Sequence, residues 1–144
     1  MASQISGVNV ARFAPHALAV LRIAAAALFL EHGLAKLVGF PAGAPPGEQP
    51  LASLLGLAAV IETITGTLMI LGLFTRSAAL VASGEMAVAY WLFHAAHSFY
   101  PAVNGGDAAI LFCFVFLYIA AAGPGVLSLD GLRHRFSPER LAKA

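Results

Sequence analysis

An all-α integral membrane protein is the fold class this sequence predicts, arranged as a four-helix bundle with both termini in the cytoplasm. Three observations predict it. Of the 144 residues, 60% are hydrophobic and 10% charged, whereas soluble domains carry about 25% charged residues; the mean hydropathy is +0.85. Four apolar runs approach the ~20 residues that a spanning helix needs. The basic residues fall on one side of those runs. A soluble all-α core protein of this length could not cover so much apolar surface.

The first span runs from about Ala17 to Val38 and reads as a retained helix, because no small-x-small cleavage pattern precedes Glu31-His32. The second runs from about Leu51 to Phe74, the third from Ser77 to Phe99 and the fourth from Asp107 to Ala122. Between the first two, residues 39–50 (GFPAGAPPGEQP) are too rich in Pro and Gly to continue a helix. Thr75-Arg76 reads as a short link that makes the second and third spans antiparallel neighbours. His97 to Gly106 reads as a turn, and Gly123-Pro124-Gly125 stops the fourth span. The whole chain is expected to be one domain, closed by a basic tail over residues 126–144.

Charge placement orients the spans. Arg12, Arg76, Arg133, Arg135, Arg140 and Lys143 share one side, and Lys36 is the basic residue near the other. The rule that basic loops stay inside puts the termini in the cytoplasm. Arg22, just inside the first span, is expected to snorkel back to that side. The tail LRHRFSPERLAKA is expected to lie on the anionic inner leaflet. A net charge of +1 gives no reason to expect a nucleic-acid partner. One cysteine, Cys113, rules out dithiol chemistry within one chain and reads as an inert core thiol.

Ionisable groups inside a span are expensive and usually face the interior. Glu31 and His32 lie ~21 Å above the start of the first span, with Lys36 about one turn higher. His94 and His97 are three apart, so a helix would give them one face, continued by Tyr90. Asn104 and Asp107 begin the fourth span, so these seven residues converge near the outer leaflet. Glu62 lies ~16 Å below the start of the second span, near the midplane, on a small-residue face with Ala58, Ala59 and Gly66. Glu85 is at comparable depth and reads as a polar clamp between the second and third spans. The small residues of those two spans also suggest a homo-oligomer. His94 and His97 could bind a metal or, with His32, an axial haem iron, but their spacing alone does not make a site, so no metal is expected. Trp91, Phe93, Phe99 and Tyr100 read as an interfacial aromatic belt, or as walls of a slot for a flat quinone ring.

The chain resembles the DoxX family of small membrane proteins. The resemblance rests on Leu21 to Leu37 (LRIAAAALFLEHGLAKL), Ile61 to Leu80, Phe99 to Phe112 and Gly123 to Leu132. Its most specific parts are the E-x3-G-x5-G-L-x-T-R run from Glu62 to Arg76 and the N-G-G-D run from Asn104 to Asp107. It implies a four-helix inner-membrane protein linked to thiosulfate oxidation, to quinone and to oxidoreductase complexes of sulfur and oxidative-stress chemistry. The family's recurring polar positions fall on Lys36, Glu62, Arg76, Asn104, Asp107 and Asp130, with Asp107 where Glu is common. The expected function is a subunit of a quinone-linked membrane oxidoreductase, with a partner redox protein as electron source. His94 or His97 would carry protons, Lys36 would stabilise a developing quinol oxyanion, and Asn104 and Asp107 would hold the loop. Two rivals are an anchor subunit that docks a partner through the basic tail, and a small transporter built on Glu62.

Overall fold

The computed structural model describes residues 10–135. Arg140 and Lys143 of the predicted tail lie outside the described residues. A 3-10 turn, Val10–Phe13, leads into α1 (Ala14–Val38). There follow α2 (Leu54–Leu71), α3 (Thr75–Ala89) with a π-helical extension over Tyr90–His94, the single turn α4 (Pro101–Asn104), α5 (Asp107–Ala122) and α6 (Leu129–Arg135). The described residues contain no strand.

Local chemistry sets these boundaries. Pro15 opens α1, and Gly39, in the left-handed region, ends it with its N–H on the Leu34 carbonyl. The second helix starts at Leu54 rather than Leu51, because Ser53 is its cap: Ser53 Oγ accepts from the Gly56 N–H at 3.0 Å. It ends at Leu71 because Gly72 turns left-handed with φ 65°. Thr75 and Arg76 are therefore not a link but the first turn of α3, and the turn is Gly72–Phe74. The third α-helix stops at Ala89, ten residues before the predicted end at Phe99, where the i→i+5 bond from Ala95 N–H to the Tyr90 carbonyl (2.9 Å) marks the π turn. The bounds of α5 are those expected.

α1 packs along α2, α3 along α5, and α2 meets α3, with a smaller α1–α5 contact. Small residues make the α1–α2 seam close. A Cβ on Gly33 would fall 2.6 Å from Thr63 Oγ1 and 2.8 Å from its backbone nitrogen. Ala78, Ala79 and Ala82 of α3 are buried in the core with Phe116 and Ile119 of α5. Phe29 closes the centre, edge-on to Phe116 at 4.8 Å, a geometry worth about 0.5–1.5 kcal/mol beyond burial. The small-residue faces that suggested an oligomer are thus largely used within the chain.

The molecule buries charged and polar side chains beside its apolar core and leaves many large apolar ones exposed. Arg22, Glu62 and Thr75 are among its largest fully buried side chains, while Val20, Leu54, Phe114 and Leu111 are about two-thirds exposed. Hydrocarbon around such helices explains both facts: it solvates Leu and Phe and drives polar groups inward. Residues 11–38 and 54–71 are long and apolar enough to cross a membrane, and α5 is a shorter apolar helix.

Candidate functional site: a polar cavity beside an ion pair

At the end of the molecule where α1 finishes and α2 begins, a cavity of about 430 Å³ opens between α1, α2, α3 and α5. Its walls are mostly apolar, with Met86, Ala89, Ala109, Phe93 and Phe112 among them. Five ionisable or imidazole side chains line it: His32, Lys36, Glu62, Glu85 and His94. Pro45 and Pro46 of the 39–50 loop close one side.

Lys36 and Glu62 form its charged centre. Lys36 Nζ donates to Glu62 Oε1 at 2.5 Å and to Oε2 at 2.6 Å. Glu62 is almost fully buried and the Lys36 side chain is 12% exposed. The ammonium has three protons, and two contacts leave one free. Glu85 makes no clamp to α2. Its Oε2 is buried and has no hydrogen-bond partner, and it faces the same cavity from α3.

The imidazoles are held at one nitrogen. His94 Nδ1 lies 3.1 Å from the Asn104 carbonyl, which can only accept, so the neutral ring carries its proton on Nδ1. Nε2 is left with its lone pair. His32 Nδ1 is held in the same way by the Leu28 carbonyl at 2.8 Å, and its ring meets Phe112 edge-on. Asn104 fixes the supporting loop: Nδ2 donates to the Ser98 carbonyl at 2.7 Å and Oδ1 accepts from the Gly106 N–H at 2.7 Å.

The expected convergence therefore holds for His32, Lys36 and His94, adds Glu62, and uses Asn104 as a support. It does not include the rest. His97 is exposed, bonded to the Phe93 carbonyl, and off the cavity, because the π turn breaks the spacing that would have aligned it with His94. Glu31 is exposed and lines a separate hollow with Phe40 and Pro41. Asp107 is exposed at the start of α5. Trp91 is 65% exposed and packs edge-on to Tyr90 rather than on the cavity. The signal that could have singled out Glu85 is its lack of any basic residue at helical spacing on its own helix. Among the described residues, no three His, Cys, Asp or Glu side chains group as metal ligands.

Arg76 stands at the other end of the molecule, where it caps α5: its guanidinium donates to the carbonyls of Ala120 (2.8 Å), Ala121 (2.5 Å) and Ala122 (3.4 Å). Arg22 is at that end too. It does not snorkel to water but is sealed in, donating to the carbonyls of Pro124, Met69, Ile70 and Leu127. Asp130 completes this end. Its carboxylate accepts from the N–H groups of Phe74 (3.0 Å) and Thr75 (2.9 Å), capping α3 across a left-handed Phe74. Partial burial pushes the Asp130 carboxyl up, but these N–H donors and the Arg133 charge outweigh it and hold it below its ordinary 3.8.

A lipid-facing helical protein with an apolar-walled cavity holding ionisable groups at one end and a hydrogen-bonded lock at the other is the class these features define. The chain belongs to the DoxX family, whose profile matches residues 17–95. It is 42% identical over 126 residues to an uncharacterized protein of Haemophilus influenzae, covering 85% of this chain and 94% of that one. No solved structure matches it.

Proposed function

We propose that the chain crosses a bacterial inner membrane four times, with both termini in the cytoplasm, and serves as a quinone-binding subunit of a membrane oxidoreductase. The basic residues Arg12, Arg76 and Arg133 support that orientation, which puts the cavity in the outer half of the bilayer. The observation that carries the functional reading is the cavity itself, where Lys36, Glu85 and His94 converge between aromatic walls. A quinone carbonyl accepts hydrogen bonds, and the free Lys36 proton supplies one. Reduction to quinol takes two electrons and two protons. His94 Nε2 is a site from which a proton is taken up and handed on. Lys36, held by Glu62, stabilises negative charge developing on the ring oxygen. The electrons come from a partner redox protein, since one cysteine makes no dithiol and no nucleotide fingerprint is present.

The test is reduction of decyl-benzoquinone in membrane vesicles from cells making the protein, with thiosulfate as donor. His94→Ala and Lys36→Ala are expected to slow it about 10²-fold, the usual scale for losing a positioned acid–base group. His97→Ala is expected to leave it unchanged. Wild-type rates in both His94→Ala and Lys36→Ala would remove the assignment.

A further inference from the structure

The cavity continues into a second space. Between α2 and α3 a groove of about 460 Å³ opens on the molecular surface, and it shares Ala58, Glu85, Ala89 and Phe93 with the cavity. Glu85 is the groove's one ionisable lining residue. The groove floor is open at Gly84, where an added Cβ would meet nothing within 4 Å. A carboxyl beside hydrocarbon is costly unless something pairs with it, and its Oε2 has no partner among the described residues.

The geometry points to a single-chain amphiphile that occupies both spaces, its polar ring accepting a hydrogen bond from the protonated Glu85 carboxyl in the cavity and its hydrocarbon chain laid in the α2–α3 groove. This rests on the quinone reading above and gives it a direction of access, sideways from the bilayer. A diacyl phospholipid suits the junction poorly, because the cation there, Lys36, is already paired with Glu62. A neutral ring with carbonyl or hydroxyl oxygens suits it well. The groove runs on from the cavity along α2 and α3, so the chain lies along those helices while the ring enters the cavity.

The experiment uses the purified full chain in detergent and the quenching of Trp91, its sole tryptophan. The two probes are 2,3-dimethoxy-5-methyl-1,4-benzoquinone, which has no chain, and its decyl homologue. Gly84→Leu and Val81→Phe fill the groove at two positions off the cavity, so misfolding of one leaves the other to decide. Each is expected to weaken decyl binding about tenfold, the effect of excluding about two methylenes, and to leave the chainless probe within about twofold of wild type. Glu85→Ala is expected to weaken both probes. Partition into detergent cancels when variants are compared on one probe. Decyl binding equal to wild type in both groove variants, or insensitive to Glu85→Ala, would overturn the inference. A chainless probe that fails to bind wild type while decyl binding still responds to the groove variants would instead remove the ring site, and with it the proposed function, leaving the groove standing.

Discussion

At the Arg22 end of the molecule, charge is spent on structure. Each nitrogen of the Arg22 guanidinium finds a carbonyl, Arg76 does the same for the last turn of α5, and both Asp130 oxygens receive backbone N–H groups. At the Lys36 end, Glu62 is as deeply buried as Arg22, but the groups around it are less completely bonded. Lys36 keeps a spare proton, His94 and His32 keep a bare Nε2, and Glu85 Oε2 has nothing. An unmet buried polar group costs about 1–3 kcal/mol; Glu85 Oε2 is one at this end, and Thr75 Oγ1 is one at the other. It is among the charged groups that the two ends differ, and that difference supports the Lys36 end as the proposed ligand site.

The comparison breaks hardest at Lys36. Lys36→Met leaves Glu62 buried without its cation and is expected to cost about 3–5 kcal/mol, read as a large fall in the melting temperature of the detergent-solubilised protein. The double variant Lys36→Met/Glu62→Gln, which removes both charges, is expected to regain most of that stability but not quinone reduction. A double variant as unstable as the single one would show that the pair is not the source of the loss.

A smaller effect is expected at the other end. Asp130→Ala removes the cap on α3 and is expected to cost about 1 kcal/mol, with no change in quinone binding. Because folding depresses the Asp130 pKa, its contribution is present above the ordinary value of 3.8 and is lost as pH falls through the lower, folded value. The wild-type and Asp130→Ala melting temperatures should therefore converge in acid below that range. A gap that widens with acidification contradicts the cap.

Much of the scaffold was legible in the sequence. Apolar length predicted the long helices, and Asp107 and Gly123-Pro124-Gly125 marked both ends of α5. The third span was drawn too long because YWLF is as apolar as a helix, while the change to π bonding leaves no trace in composition. Lys36–Glu62 was missed for a different reason. Depth counted from Leu51 put Glu62 at the midplane, but α2 starts at Leu54 and the lysine stem reaches down α1. The Arg22 lock was out of reach of any sequence pattern, since its carbonyl partners are 47 to 105 residues away and carry no side-chain signature.

Whether the groups left unbonded at the Lys36 end are kept for a ligand is tested most directly at Glu85. Glu85→Leu replaces the orphaned carboxyl with a side chain that needs no partner. Measured together, the melting temperature is predicted to stay level or rise, while decyl-benzoquinone binding falls about tenfold or more, as stability and function trade against each other at a site. A protein that melts markedly lower yet binds the quinone as wild type does would contradict the account.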